Sequence, residues 1–277
     1  MATRREIVRD TASRLCALYE PHEAEAIARE LVERLLGISF SQLVSDYDAE
    51  CNIEELESKV EELLQGRPIQ YVTGRASFCD RDFAVREGVL IPRPETEELV
   101  AHVAAIAKPY ARILDVGTGS GAIAISLALE VAESQVVGID LSPIALEVAS
   151  ENASRLGASI TCTKCDALGD MSHLGTFDII VSNPPYIPHS DEPSMNKNVI
   201  DYEPHEALFV ADDDALCFYR SIARNGAKML NEGGWIWFEI YELYGEQMCQ
   251  LLRDEGYRNV QLINDIFNKP RIVCGRR

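Results

Sequence analysis

The chain has 277 residues, of which 26 are Lys or Arg and 45 are Asp or Glu, so its formal net charge is −19. This length accommodates one large domain or two smaller ones with sizeable cores. Because tight binding to DNA or RNA needs clustered basic side chains, the acidic balance disfavours direct nucleic-acid contact. No apolar run approaches the ~20 residues of a membrane helix. Eight cysteines without an apolar leader favour reduced thiols, and we expect a cytoplasmic protein.

Helical patterns fill the first part of the chain. Apolar side chains recur at three- and four-residue intervals over residues 7–19, 27–35 and 53–64. Gly37 is suited to a left-handed helix end, and Asn52 followed by Glu55 resembles a capping box that would open the third helix. Since no strand pattern is present, we predict a small helical domain over residues 1–68. We favour a recognition domain over a helical extension packed on the main domain.

Residues 69–93 have a different character and are predicted to connect two domains. Apolar residues alternate with turn formers such as Asp80 and Gly88, which favours a short β-hairpin. Pro92 and Pro94 then interrupt the chain before a predicted helix near Glu95. Arg93 and Glu97 either tie this connector to the main domain or form a simple ion pair.

Strands alternate with helices over residues 94–277. The predicted strands are 112–116, 135–140, 159–165, 177–182 and 235–240, with two short ones at 259–263 and 271–274. Short β-rich runs separated by helices imply crossover connections, and hence a parallel sheet covered by helices on both faces. We therefore predict an α/β catalytic domain over this range.

A glycine motif, Asp115-Val-Gly-Thr-Gly-Ser-Gly121, follows the first predicted strand and precedes a helix. Glycines let the backbone turn tightly next to a ligand, and the helix start offers unpaired N–H groups. Asp140, nineteen residues after Gly121, ends the next strand, where a carboxylate can accept both hydroxyls of a ribose. Ala122 stands where a dinucleotide fingerprint has its last glycine, and no P-loop lysine follows. The motif resembles that of S-adenosylmethionine-dependent methyltransferases of the Rossmann-like class.

This resemblance implies a set of cofactor-binding residues, with S-adenosylmethionine as cofactor and S-adenosylhomocysteine as product. It places Asp140 on the ribose and Asp166, beside Ala167, on the adenine amino group; a plain loop cap is the alternative for Asp166. The full set is Gly117, Thr118, Gly119, Ser120, Gly121, Asp140, Asp166, Ala167 and Asn183.

The fourth strand ends in Asn183-Pro184-Pro185-Tyr186, in which two prolines fix the backbone and remove two N–H donors. The Asn183 Oδ1 atom and the Pro184 carbonyl can each accept one hydrogen of a planar –NH2 group, and Tyr186 can pack over its face. An amide nitrogen is a poor nucleophile because its lone pair is delocalised, and two acceptors favour its rehybridisation as positive charge develops. We therefore expect all four residues to bind the substrate, with Asn183, Pro184 and Tyr186 as the catalytic ones.

Five sequence blocks together resemble the HemK/PrmC family, whose members methylate the N5 atom of the GGQ-motif glutamine in peptide chain release factors. They are RPIQYVTG (67–74), LIPRPETE (90–97), DVGTGSGAIA (115–124), VSNPPYI (181–187) and DYEPHEAL (201–208). The resemblance implies a release factor as partner, a helical domain that helps to recognise it, and a monomer without membrane contact. Two departures occur: Ile240-Tyr241 replaces a usual His-Gly pair, and Asn268-Lys269-Pro270-Arg271 replaces Asn-Glu-Arg. They weaken any role for residues 240–271.

Other functions remain open at this point. A sister enzyme acting on a ribosomal-protein glutamine would have the same central motifs. A DNA adenine methyltransferase would need base flipping and a basic recognition region, which this acidic chain lacks. An inactive cofactor-binding regulator is disfavoured by the intact Asn183–Tyr186 motif. Cys162 and Cys165 form a C-x-x-C pair, but no second pair exists to complete a zinc site, so no metal is expected.

Overall fold

The computed structural model describes residues 2–277. Its first elements are β1 (Ala2–Thr3), α1 (Arg4–Leu15), α2 (Pro21–Leu36), α3 (Phe40–Ser45), β2 (Glu50–Cys51), α4 (Leu56–Leu64), α5 (Ile69–Thr73), β3 (Arg75–Phe78) and β4 (Arg81–Ala84). There follow α6 (Pro94–Ile106), β5 (Arg112–Val116), α7 (Ala122–Glu130), β6 (Gln135–Asp140), α8 (Pro143–Leu156), β7 (Ile160–Lys164), β8 (Phe177–Ser182), β9 (Ile187–Pro188), α9 (Lys197–Tyr202), β10 (Phe209–Val210), α10 (Cys217–Met229), β11 (Leu230–Glu239), α11 (Gly245–Asp254), β12 (Arg258–Asn264) and β13 (Pro270–Arg276).

The chain divides into two compact units. The first comprises the chain up to Arg75 together with Asn196–Tyr202, and the second comprises Ala76–Met195 and Glu203–Arg277. The sequence suggested a division at residues 68 and 93, but α5 lies within the stretch expected to be a connector. Nothing in the composition indicates that a later segment returns to the first unit. The three-part functional division remains a prediction.

The first unit is a helical unit with its own core. Leu15 of α1, Leu31 of α2 and Leu63 of α4 are fully buried in one apolar cluster, as their helical spacing predicts. Gly37 has a φ of 64° and ends α2 in the left-handed conformation that was predicted. Helix α9 is held to this unit by the Tyr202 hydroxyl, which donates to the Gln65 carbonyl at 3.1 Å.

Two expectations for this unit are wrong. Asn52 and Glu55 do not form a capping box, because α4 begins at Leu56 and its N-cap, Glu55, makes no side-chain capping bond. The capping boxes of this unit lie elsewhere, at Thr3 with Glu6 and at Ser39 with Gln42. In addition, β1 and β2 pair as antiparallel strands where only helices were expected. Strands of two residues are too short to produce an alternating pattern in the sequence.

The second unit contains a seven-stranded sheet with the order β12-β13-β11-β8-β5-β6-β7. The five strands from β11 to β7 run parallel, whereas β13 is antiparallel to β11, and β12 is antiparallel to β13. The predicted parallel sheet is thus confirmed for five strands, and the two short strands predicted at its end are antiparallel, a direction the sequence did not indicate. Residues 265–269 join β12 directly to β13, and so short a connection permits only an antiparallel pair.

Both faces of this sheet are buried at its centre, which explains why the central strands β5 and β8 are apolar almost throughout. Ile113 and Ile179 pack on the face covered by α6, α7 and α8. Their neighbours Leu114 and Ile180 pack on the opposite face, against α10 and α11. Successive side chains of a strand point to opposite faces, so each strand needs apolar residues at consecutive positions.

The strand order reverses at β5. From β5 the chain moves outward through β6 and β7, and then returns to place β8 on the other side of β5. Open α/β sheets bind ligands in the crevice that forms at the carboxyl ends of the strands at such a point. The segments after β5, β6 and β8 are therefore brought together at one edge of the sheet.

Gly121 shows how closely helix α7 packs at this edge. Its φ is +81°, and an added Cβ would lie 2.8 Å from Ile125 Cδ1 and 3.2 Å from Ala149 Cβ. We expect Gly121→Ala to lower the free energy of unfolding by about 2–4 kcal/mol, from left-handed strain plus overpacking. The matched control is Gly157→Ala, with a φ of +72° and nothing within 4 Å of the added Cβ, which should cost only ~1 kcal/mol. Equal losses in chemical denaturation would contradict this account.

Candidate active site

A cavity of about 540 Å³ lies at the carboxyl ends of the parallel strands, where the strand order reverses. Most of the site residues predicted from the sequence line it: Gly117, Thr118, Gly119, Ser120, Asp140, Asp166, Ala167, Asn183, Pro184 and Pro185. Gly121 and Tyr186 are not part of this lining. Gly121 lies against α7 and α8 instead, where its missing side chain allows the helices to approach the glycine turn.

The glycine turn is built on left-handed backbone. Gly117 and Gly119 have φ values of 77° and 56°, which side chains disfavour. The N–H groups of Gly117 and Thr118 both donate to the Ile139 carbonyl at 2.9 Å, which fixes the turn to the end of β6. A Cβ at either glycine would meet nothing within 4 Å, so the turn leaves open space on the cavity side.

Asp140 connects this turn to the start of α8. Its Oδ2 atom accepts from the Gly119 N–H and its Oδ1 atom from the Ser142 N–H, both at 2.9 Å. Burial raises the pKa of this carboxyl. Each carboxylate oxygen has capacity for a further hydrogen bond, so Asp140 can still accept from ligand hydroxyls.

Asp115 lies behind the turn and is completely buried. Its Oδ2 atom accepts from the Thr118 hydroxyl at 2.7 Å and from the Ala124 N–H at 3.2 Å. The Oδ1 atom has no hydrogen-bond partner. Burial raises the pKa of the Asp115 carboxyl to about 7. The side chain therefore holds the turn against α7 and does not line the cavity.

Asp166 makes a local contact as well as lining the cavity. Its Oδ1 atom accepts from the Leu168 N–H at 2.8 Å, which is the loop cap that the sequence left as an alternative. Asp166 and Ala167 nevertheless both line the cavity after β7. The adenine contact remains a prediction for them.

The turn from Asn183 to Tyr186 is fixed at both ends. On the strand side, the Ser182 hydroxyl donates to the Val116 carbonyl of β5 at 2.6 Å. On the other side, the Tyr186 N–H donates to the Leu208 carbonyl, and β9 pairs with β10 in parallel. The two prolines have no N–H groups to donate, so these bonds on either side of them hold the turn at the sheet edge.

A buried side-chain network lies beneath this turn. The Asn183 Nδ2 atom donates to the Thr96 hydroxyl at 3.2 Å, and that hydroxyl lies 2.6 Å from Glu239 Oε2. The Tyr186 hydroxyl lies 3.3 Å from the other carboxylate oxygen, Oε1. Glu239 is only 1% exposed and Thr96 4%, and burial raises the pKa of the Glu239 carboxyl. Sequence reasoning assigned no role to either, although Thr96 belongs to the LIPRPETE block.

Tyr186 contacts this network and is not part of the cavity lining. Its ring stacks on Tyr241 with centroids 6.0 Å apart, and burial raises the pKa of its phenol. The predicted packing of Tyr186 over a substrate amide remains a prediction. Tyr241 also donates to Asp191 at 2.8 Å, so the residue that departs from the family pattern fixes this side of the turn.

The second departure also lies near the network. Arg271 pairs with Asp265 through Nη2 at 3.1 Å and Nε at 3.2 Å. Its positive charge acts on Glu239 and Tyr186 and favours the ionised form of each. Residues 241 and 271 were expected to have little role, yet both support the turn.

Of the two alternatives for Arg93 and Glu97, the simple ion pair between them is wrong. Arg93 instead donates to Glu203 Oε1 at 2.6 Å, and the Ile91 N–H donates to Glu203 Oε2 at 3.1 Å. Glu203 is 4% exposed, so it accepts both bonds out of water, where such bonds are strongest. The contact fixes residues 91–93 beside the cavity. The DYEPHEAL block contains Glu203, but nothing in the sequence identifies its partner.

Residues 2–277 contain no group of three or more His, Cys, Asp or Glu side chains able to hold a metal ion. Cys162 and Cys165 are both free thiols. No helix in this described part of the chain is long and apolar enough to cross a membrane.

Comparison with known proteins identifies the family. Residues 107–271 match the family described as "Methyltransferase domain", and residues 6–74 match "PrmC N-terminal domain". A release factor glutamine methyltransferase from Bacteroides thetaiotaomicron is 41% identical over 264 residues, covering 94% of this chain and 95% of its own. The chain belongs to the release factor glutamine methyltransferase family. The resemblance to HemK/PrmC seen in the motifs is thereby confirmed.

Another member of this family, from Flavobacterium psychrophilum, is 37% identical over 267 residues and 94% of each chain. Among solved structures, a methyltransferase from Pyrococcus furiosus aligns with a TM-score of 0.54 at 17% identity, over 79% of this chain and 98% of that protein. This likeness concerns the fold alone. It confirms the predicted Rossmann-like methyltransferase sheet, to which the family adds the helical N-terminal region.

The buried Asp115 predicts a pH-dependent stability difference. Its pKa is raised from 3.8 to about 7, so the stability it contributes is complete below pH 3.8 and is lost as pH rises through about 7. We therefore expect Asp115→Asn to become progressively more stable relative to the parent protein across that window. Chemical denaturation at several pH values measures the difference. Asp170→Asn is the control. Hydrogen bonding from Ser172 lowers the pKa of Asp170, so the difference in free energy of unfolding between this variant and the parent protein should not change over the same pH range.

Proposed function

We propose that this protein transfers a methyl group from S-adenosylmethionine to the N5 atom of a glutamine side chain in peptide chain release factors. The observation that carries the proposal is the Asn183-Pro184 turn, which adjoins the same cavity as the glycine turn and Asp140. In this arrangement an amide-binding turn and a nucleoside-binding turn meet. The names of its relatives support the same reaction and substrate.

The cavity suits S-adenosylmethionine in volume and charge. About 540 Å³ is within the usual range of sites for small molecules of this size. Asp140 offers two oxygens that can each accept a further hydrogen bond, as a ribose diol requires. Asp166 adds a second carboxylate to the lining. This acidic lining suits a cationic ligand without phosphate groups.

We assign the cofactor-holding residues by position. Gly117, Thr118, Gly119 and Ser120 would hold it along the turn, Asp140 at the ribose, and Asp166 with Ala167 at the adenine. Gly121 would contribute through the packing of α7. The bound cofactor supplies an electrophilic methyl group on a sulfonium. Everything else required for the reaction concerns the position of the substrate nitrogen.

Asn183 and Pro184 would control that position. The Asn183 Oδ1 atom and the Pro184 carbonyl each accept one hydrogen of the glutamine –NH2 group and hold its nitrogen in line for attack. As the N–C bond forms, the bond between the methyl carbon and the sulfonium sulfur would break and S-adenosylhomocysteine would be left; positive charge develops on the nitrogen, and the two oxygens stabilise it until a proton is lost to water. Pro184 and Pro185 keep the turn rigid, so little reorganisation is needed. The proton leaves after the transfer, and no tuned base is required.

The partner follows from the same reasoning. A glutamine in an exposed loop can enter a narrow cavity at a sheet edge without base flipping. We propose that the helical unit recognises the body of the release factor and that the protein acts in the cytoplasm, where termination takes place. A monomeric state and the absence of direct nucleic-acid contact remain predictions.

A methylation assay with purified release factor tests the proposal. The protein should add one methyl group, found by mass spectrometry on the GGQ-motif glutamine. Asn183→Ala should reduce kcat by at least about 100-fold, because it removes one of the two acceptors. Cofactor affinity, measured by calorimetry, should stay within several-fold.

No methyl incorporation into the release factor by the parent protein would overturn the proposed function. Loss of cofactor binding in Asn183→Ala would show instead that this side chain belongs to the cofactor site alone.

Asp140 provides a separate test of the cofactor site. Asp140→Ala should weaken binding of S-adenosylmethionine about 10- to 100-fold, since hydrogen bonds to a charged acceptor are lost. Asp170→Ala is the matched control, because Asp170 is exposed and lies outside the cavity lining. Calorimetry that gives equal affinities for the two variants would show that Asp140 does not hold the cofactor.

A further inference from the structure

We propose that Glu239 and Thr96 are positioning residues, which determine whether Asn183 presents an acceptor or a donor to the substrate amide. This inference rests on the proposed function above and extends it to two residues behind Asn183, of which Thr96 also lines the cavity. We call the three side chains the Glu239–Thr96–Asn183 relay.

The direction of the relay follows from the number of hydrogens available. The Thr96 hydroxyl has one hydrogen, and its 2.6 Å distance to Glu239 Oε2 is typical of a hydroxyl that donates to a carboxylate. The Thr96 oxygen can then only accept from Asn183. Asn183 must therefore turn its Nδ2 atom toward Thr96, as the 3.2 Å contact shows. Its Oδ1 atom is left to accept a hydrogen from the substrate.

A neutral group at position 239 would reverse this order. If it donated to Thr96, the single threonine hydrogen would point to Asn183. Asn183 would then offer its Oδ1 atom to Thr96 and its –NH2 group to the substrate. Two –NH2 groups facing each other cannot form the required hydrogen bond, so the glutamine nitrogen would lose one of its two acceptors.

The surroundings of Glu239 support a carboxylate that accepts on both oxygens. Tyr186 faces Oε1 from the substrate turn, so one carboxylate fixes both ends of that turn. Burial raises the pKa of the Glu239 carboxyl, as does Glu95 on α6, whereas the hydrogen bonds from Thr96 and Tyr186 and the charge of Arg271 on β13 lower it and favour the carboxylate. Tyr219 on α10 donates to the Glu239 backbone carbonyl at 3.0 Å and holds the strand end in place.

Three variants separate orientation from structural support. Thr96→Val removes the hydroxyl with little change of shape, and Thr96→Ser retains it. Glu239→Gln retains the shape of the side chain but introduces an –NH2 group that can donate to Thr96. We expect kcat for release factor methylation to fall about 100-fold in Thr96→Val and Glu239→Gln, as for a misplaced reacting group. Thr96→Ser should stay within a few-fold of the parent protein.

KM for the release factor and affinity for S-adenosylmethionine should change little in all three variants, because no residue of the relay belongs to the helical unit or to the glycine turn. If Thr96→Ser lost as much kcat as Thr96→Val, the hydroxyl would not be the relevant group and the inference would be overturned. An unchanged kcat in Thr96→Val would overturn it as well.

A second measurement does not depend on activity. In nuclear magnetic resonance spectra of the full-length protein, one side-chain amide hydrogen of Asn183 should exchange slowly with water, because Thr96 accepts it. This protection should persist in Thr96→Ser and disappear in Thr96→Val. Equal exchange in the parent protein and Thr96→Val would overturn the relay. If the parent protein failed to methylate a release factor, the proposed function would fail, while the exchange data would still decide the relay.

Discussion

The buried carboxylate of Glu239 is the interaction on which the substrate turn depends. Phe238 of β11 pairs with Ser182 of β8, so the sheet register places Glu239 level with Asn183. Burying a charge without partners is costly, and here two hydroxyl groups and the field of Arg271 compensate for the lost water. The charge in turn imposes a direction on every hydrogen bond around it. The register of the sheet thus determines the position of Glu239, and Glu239 in turn orients the polar side chains around it.

The site as a whole results from the reversal of strand order at β5. The glycine turn follows β5, Asp140 ends β6, and the proline-rich turn follows β8, so three distant segments share one edge. Hydrogen bonds across this edge join them: the turn after β5 is bonded to Ile139 of β6, and Ser182 of β8 is bonded to Val116 of β5. The sheet therefore determines where the cavity lies, while the side chains at the strand ends and in the loops determine what it can bind.

The sequence was informative wherever the determining interactions are local. Gly117, Asp140 and Asn183 were predictable because each lies within a short motif next to an apolar strand. The pair of Thr96 and Glu239 lies 143 residues apart, and only the packing of α6 against β11 brings them together. The same holds for Glu203, which pairs with Arg93 although Glu97 is nearer in the sequence, because Glu203 is buried whereas Glu97 is only half-buried. The residues that only position other residues could therefore not be identified from the sequence, whereas the residues of the ligand-binding motifs could.

The return of Asn196–Tyr202 to the helical unit has a consequence for how the protein is made. Domains generally fold as units while the chain emerges from the ribosome, the amino-terminal one first. Here the leading unit still lacks α9 after most strands of the sheet have been synthesised. A fragment ending at Arg75 would lack the Tyr202 contact for the same reason. The two units are therefore interlaced along the chain, and neither can be cut out as one uninterrupted piece.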